Sequence, residues 1–179
     1  MDSAHSKNNW YVITGASCSG KTTLVDTLAA RGHRVVHEVA RTYIDDRIAH
    51  GETVDEIRKD EPAFQRKVLE MKVAVERDLK QNELVFFDRG IPDTYAYDTL
   101  HQASRNPLLD EAAKSCSYKK IFLLDRLPLA EDYARTETPE QQDQLHALLE
   151  KAYQDLGFPI VQVPVMPVEE RADFILRNL

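Results

Sequence analysis

A chain of 179 residues has the length of one domain with a real core, and a composition of 30% charged and 42% apolar residues excludes both a disordered chain and an integral membrane protein. The net charge of −7, from 23 basic and 30 acidic residues, works against binding nucleic acid or an anionic membrane through clustered Lys and Arg. Two cysteines are too few for a disulfide framework or a zinc site, and the start of the chain is polar, so we expect a cytoplasmic protein with reduced thiols: a tail over residues 1–9, then a single domain over 10–179.

In chain order, Trp10 to Thr14 is a short apolar, β-rich run that leads through a glycine-bounded loop into a helical pattern from Lys21 to Ala30, with Gly32 placed to cap it. His33 to Val36 reads as a second strand and Val39 to His50 as a helix ending at Gly51. Between Thr53 and Lys80 the residues Phe64, Val68, Met71, Val75 and Leu79 recur every three or four positions, which predicts one long helix with Pro62 in its first turn. Leu84 to Phe87 is a third strand, apolar throughout, with Asp88 at its C-terminal end. Helical pieces over Pro92 to Ala103 and Pro107 to Cys116 precede a fourth strand, Lys120 to Leu124. A helix from Pro139 to Leu156, closed by Gly157, a fifth strand from Ile160 to Val163 and a last helix from Val168 to Leu179 complete the pattern. Strands alternating with helices predict an α/β fold: a parallel sheet with right-handed crossovers, helices on both faces and ligands outside the carboxyl ends of the strands.

The run Gly15-Ala16-Ser17-Cys18-Ser19-Gly20-Lys21-Thr22 fits G-x-x-x-x-G-K-[ST] and lies after a strand and at the opening of a helix, where the mechanism of that motif needs it. Its glycines let successive amide N–H groups face inward around an anion at a helix N-terminus. Lys21 then reaches the β and γ phosphates, Thr22 gives its hydroxyl to a Mg2+ ion, and Thr23 serves the α phosphate. The loop therefore specifies a nucleoside triphosphate with its metal. Cys18, inside the loop, reads either as a redox-sensitive thiol at a helix N-terminus or, the favoured reading, as a small filler residue.

Asp88 brings a carboxylate to the same sheet edge, the Walker B position, where it can hold Mg2+ or accept a proton from an acceptor hydroxyl. A helix cap or an ion pair with Arg89 is the plainer alternative. Glu38, Arg41 and Arg89 are placed for the acceptor molecule, Glu38 and Arg41 equally as solvated residues at a helix start. Arg126 and Arg135 flank the charged stretch from Asp125 to Pro139, read as a lid that delivers an arginine to the transferring phosphoryl group, with a plain charged surface loop as the alternative. Tyr43, Tyr95 and Tyr97 either line the acceptor pocket or pack as ordinary amphipathic residues.

With these residues in hand, the stretches Ile13 to Leu24, His37 to Arg41 and Phe86 to Tyr97 resemble the small bacterial "predicted ATPase" proteins classed as AAA-type domains, and the layout is similar to the ribosylnicotinamide-kinase domain of bifunctional NAD-synthesis regulators. The resemblance covers nearly the whole chain and implies a three-layer α/β/α P-loop NTPase fold with strand order 2-3-1-4-5, a short lid, and ATP with Mg2+. Arg135 matches an arginine of the related kinase's lid, whereas Asp88-Arg89 stands where that kinase has Asp-Thr, so acceptor identity does not transfer. Two functions follow as expectations. One is a Mg-ATP-dependent phosphotransferase acting on a small nucleoside, nucleotide or other metabolite; the other is a nucleotide-dependent regulatory module with slow hydrolysis and no small-molecule acceptor.

Overall fold

Five short strands, β1 (Trp10–Thr14), β2 (Arg34–Val36), β3 (Val85–Asp88), β4 (Lys120–Leu124) and β5 (Ile160–Val163), pair in parallel in the order β2-β3-β1-β4-β5. Residues 8–17, 19–127 and 138–179 are described by this computed structural model. Between the strands run α1 (Lys21–Ala30), α2 (Val39–Ala49), α3 (Val54–Ile57), α4 (Glu61–Asp78), α5 (Asp93–Leu100), α6 (Pro107–Ser115), α7 (Pro139–Asp155) and α8 (Val168–Arg177). The result is the expected three-layer α/β/α arrangement.

Alternation along the strands sends side chains to opposite faces, and both faces are covered. On one face Tyr11, Ile13, Phe86, Phe122 and Val163 meet Leu24 and Leu28 of α1 and Ala172 and Ile175 of α8. On the other, Trp10, Val12, Val85, Phe87 and Ile121 meet Leu69 of α4, Leu109 of α6 and Tyr153 of α7, while Leu123 packs with Leu145 and Leu149. Ile13 is in register with Asp88 and Thr14 with Leu123, so β1, β3 and β4 end at one level. Every loop considered below leaves the sheet from that edge.

The single long helix expected over Thr53 to Lys80 is two helices. Thr53 and Glu56 form a reciprocal capping box for α3, and Asp60 starts α4 by accepting from the Ala63 N–H at 3.0 Å. Pro62 sits in the first turn of α4 and cannot donate back into the preceding turn, so α3 stops at Ile57. The inward stripe is also rotated: Phe64, Val68, Leu69 and Lys72 are buried, whereas Val75 and Leu79 are only partly so. Elsewhere the differences are terminal. β2 starts at Arg34, β3 extends to include Asp88, α5 is confined to Asp93–Leu100, and α2, α6, α7 and α8 end one or two residues early. Among the described residues no helix is long and apolar enough to cross a membrane.

Candidate functional site

The turn from β1 into α1 coils around its own lysine. Gly20 is left-handed with φ 80°, and a Cβ there would come within 3.1 Å of Leu127 Cδ1, so both backbone and space favour glycine. Lys21 is 7% exposed and folds back on the loop, donating to the Ala16 carbonyl at 3.0 Å and to Ser19 Oγ at 3.2 Å. Burial, with Arg89 second, lowers its ammonium to about 8, while Asp88, Glu38 and Asp93 pull the other way. Thr22 and Thr23 are exposed at the start of α1. Cys18 falls outside the described residues.

At the end of β3 the Asp88 carboxylate is 2% exposed, and its Oδ1 has no hydrogen-bond partner among the described residues. Burial raises it to about 6, against the opposing pull of Lys21. An orphaned, enclosed carboxylate oxygen beside an anion-cradling loop is the donor a divalent cation takes. The plainer alternatives fail here, because Asp88 belongs to the strand rather than capping α5, and Arg89 pairs with other carboxylates.

Arg89 is a buried junction. Its φ of 69° is left-handed, rare for a side-chain-bearing residue, and its partners hold it there. Nη1 reaches Asp93 Oδ1 at 3.3 Å and the Gly15 carbonyl at 3.4 Å, Nε lies 3.4 Å from Glu38 Oε1 without hydrogen-bond alignment, and the guanidinium stacks over Tyr97 at 5.1 Å. Glu38 is thereby drawn to the site edge instead of standing free in solvent. Arg41, one turn into α2, is exposed and forms no ion pair among the described residues. Arg126 pairs with Asp143 of α7 and donates to the Pro139 carbonyl at 3.4 Å, so it leans on α7 and not into the loop. Arg135 lies outside the described residues, as does most of the charged stretch expected to act as a lid. Tyr43 packs on Phe64 and Tyr95 donates to Asp110 at 2.9 Å, leaving Tyr97 alone of the three tyrosines against a site residue.

Four residues of consequence, Asp93, Lys72, Tyr118 and Arg171, were not singled out from the sequence. Asp93, 1% exposed, accepts from Thr14 Oγ1 at 2.5 Å, from the Gly90 N–H at 2.9 Å, from Arg89 and from Tyr153. It closes the Asp-Arg-Gly-Ile-Pro-Asp run, whose second aspartate was the available signal. Lys72, buried on α4, donates to the Gly90 carbonyl at 2.9 Å, and Tyr118 accepts from the Ile91 N–H at 3.0 Å while donating to Glu76. Gly90 is gripped so closely that a Cβ would stand 2.7 Å from the Tyr153 hydroxyl. Arg171 of α8 donates to the Ser19 carbonyl of the loop at 2.5 Å; nothing in its local sequence marks it. Two open surface hollows, of about 740 Å³ between Tyr43, Ile57, Pro62 and Phe64 and of about 380 Å³ between Tyr95, Asp98 and Asp110, contain none of the loop residues.

The sequence model of a family described as an AAA domain matches residues 10–171. No curated protein matches the sequence. Among solved structures, the chain is similar to NadR protein in complex with NR (TM-score 0.71, 19% identity), covering 96% of this chain and 50% of that one. It is similar also to deoxyadenosine kinase from M. mycoides with products dCMP and dCDP (TM-score 0.64, 16% identity, 94% and 97% covered) and to thymidylate kinase from Ehrlichia chaffeensis (TM-score 0.63, 13% identity, 94% and 97% covered). The chain thus spans about half the length of NadR and nearly all of the two kinases. At these identities the likeness is one of fold, that of P-loop nucleotide kinases.

Proposed function

The chain belongs to the AAA domain family, and from that premise we propose that it is a P-loop phosphotransferase that moves the γ-phosphoryl group of ATP to a small nucleoside-like, nucleotide-like or related acceptor. The observation that carries this reading is the Asp88 carboxylate, enclosed on the strand next to β1 with Oδ1 lacking a hydrogen-bond partner among the described residues, and under the electrostatic pull of Lys21 and Arg89.

The backbone of residues 15–20 surrounds the phosphates, Lys21 leaves its internal carbonyl partner for the β and γ oxygens, and Thr23 serves the α phosphate. Thr22 and Asp88 would hold Mg2+, which would supply neutralisation of the triphosphate's negative charge. Where the metal is held through water, Asp88 would instead take a proton from an acceptor hydroxyl; burial raises its carboxyl to about 6 in the free chain. Glu38, Arg41 and Arg89 define the acceptor side: Arg89 fixes Glu38, and exposed Arg41 meets an anionic acceptor. Arg126 and Arg135 bracket the stretch that would close over the nucleotide, with Arg135 the transition-state cation.

The test is incubation of the full chain with Mg-ATP and a panel of nucleosides, nucleotides and related metabolites, with phosphorylated products followed by mass spectrometry. We expect one class of acceptor to be phosphorylated, and Asp88→Asn to retain ATP binding while turnover falls by about a hundred-fold or more. ATP binding with no acceptor accelerating ADP formation would retire the phosphotransferase reading in favour of a nucleotide-gated regulatory module. That second reading draws on Arg89, whose guanidinium is already committed to Glu38, Asp93, Tyr97 and the Gly15 carbonyl.

A further inference from the structure

Arg171 plays no part in the chemistry above, yet it is 2% exposed and its guanidinium touches the phosphate loop. Nη1 donates to the Ser19 carbonyl at 2.5 Å, Nη2 to the Asp125 carbonyl at 3.2 Å and Nε to the Pro164 carbonyl at 3.2 Å. Those carbonyls belong to the loop after β1, the segment after β4 and the segment after β5, so one side chain ties together three loops at the same sheet edge. All three acceptors are neutral, and among the described residues no carboxylate lies within ion-pair distance of the guanidinium. Burial disfavours the cation, and the Asp125 carboxylate, beyond ion-pair distance, offsets only part of that cost.

The consequence of the Ser19 contact lies on the far side of that peptide. In a trans peptide the C=O and the next N–H point in opposite directions, and the described chain has no cis bonds. Drawing the Ser19 carbonyl toward α8 therefore turns the Gly20 N–H away from Arg171. That N–H donates to no backbone carbonyl among the described residues. Left-handed Gly20 follows without strain, where a side chain would press on Leu127.

We infer that Arg171 is a positioning residue for the triphosphate: it locks the Ser19–Gly20 peptide so that the Gly20 N–H is offered to a phosphate oxygen, and its cation, bonded to neutral carbonyls, adds to the positive potential of the loop. The inference rests on the phosphate-loop reading proposed above and adds that the cradle is imposed by α8 as well as by its own glycines. The ligand it serves is the polyphosphate, irrespective of the base attached.

The experiment is calorimetry of the full chain and of its Arg171→Lys and Arg171→Met variants with Mg-ATP and with inorganic tripolyphosphate, alongside circular dichroism and thermal melts without ligand. We expect Arg171→Met to lose affinity for both ligands by roughly ten- to hundred-fold, the scale of losing a charge-assisted hydrogen bond. Arg171→Lys, which keeps the charge but not the three-way fork, should recover part of that loss, and KM for ATP should rise by a larger factor than kcat falls. A purely structural role would lower the melting temperature while leaving the folded variants within about two-fold of wild-type affinity; that result overturns the inference. Failure of the wild-type chain to bind either ligand would instead overturn the phosphate-loop reading from which it starts. Should neither variant fold, 15N NMR of the wild-type chain titrated with tripolyphosphate decides. The Gly20 amide and the Arg171 Nε–H must both move, and a Gly20 amide that stays fixed while those of Lys21 and Thr22 shift refutes the assignment.

Discussion

The phosphate loop and the turn after β3 leave neighbouring strands at the same edge of the sheet, but they are built on opposite principles. In the loop, Lys21 finds its partners at Ala16 and Ser19, within five residues, and the cradle is mostly backbone. In the turn, six residues from Asp88 to Asp93 take contacts from Thr14 on β1, Gly15 of the loop, Glu38 before α2, Lys72 on α4, Tyr118 before β4 and Tyr153 on α7. The loop's own contacts are mostly local, with Arg89 and Arg171 the distant side chains that clamp its carbonyls. A buried polar network of this span is satisfied only when the whole fold is in place, and each member left unpaired is costly.

The sharpest way to break that comparison is Asp93→Ala. Thr14, Gly90, Arg89 and Tyr153 would all lose their shared acceptor inside the protein, leaving the buried guanidinium with Glu38, at 3.4 Å, as its remaining ion-pair partner among the described residues. Removing one side of a buried charged pair costs about 3–5 kcal/mol, and denaturant unfolding should show a loss of that size. A loss under about 1 kcal/mol, the scale of an exposed pair, would mean the turn is as locally sustained as the loop.

Lys21→Ala probes the loop and should do the reverse, leaving stability nearly intact while weakening triphosphate binding by about a hundred-fold, or about 3 kcal/mol. The wild-type chain should also show a pH signature. Burial holds the free ammonium at about 8, so Lys21 is charged below that pH and loses its proton above it. An entering phosphate favours the charged form, so wild-type affinity should be highest below about pH 8 and decline as pH rises through it. Titration calorimetry between pH 6.5 and 9.5 would check this; a slope that survives in Lys21→Ala would assign the titration to another group.

The same contrast explains what could be read from the sequence. Gly15 to Thr22 was legible because spacing alone encodes a backbone cradle, and Asp88 because an apolar strand carries it to the sheet edge. Asp93, Lys72 and Arg171 were not, since their partners lie up to 152 residues away in sequence and no periodicity announces a side chain reaching a distant carbonyl. Lys72 illustrates the difficulty: it occupies an inward position of α4 where a sequence pattern expects an apolar residue, and only Gly90 opposite it makes that position sensible. The break between α3 and α4 was hidden for another reason. The apolar repeat runs on through Phe64 and Val68, whereas the interruption depends on Asp60 turning its carboxylate to the Ala63 N–H.

The mildest perturbation of the turn is Glu76→Gln. Glu76 receives the Tyr118 hydroxyl, and Tyr118 accepts the Ile91 N–H, so the carboxyl stands one step outside the turn it supports. Burial raises it to about 7, against the Tyr118 hydrogen bond and the nearby Lys72 ammonium. In the unfolded chain it titrates near 4.5. The folded state therefore holds the proton more tightly, and stability declines as pH rises from about 4.5 through about 7. Glu76 keeps partial solvent contact, so its share is about 2 kcal/mol, less than complete enclosure would give. Glutamine can still accept from Tyr118 but has no charge to bury, so Glu76→Gln should gain on the wild type by that amount between pH 5 and pH 8. Asp88 titrates across the same window in both proteins and cancels in the difference. Denaturant melts that run parallel at the two pH values would show that the Glu76 carboxylate is solvated in the native state, and that the outer part of the network tolerates charge as freely as the phosphate loop does.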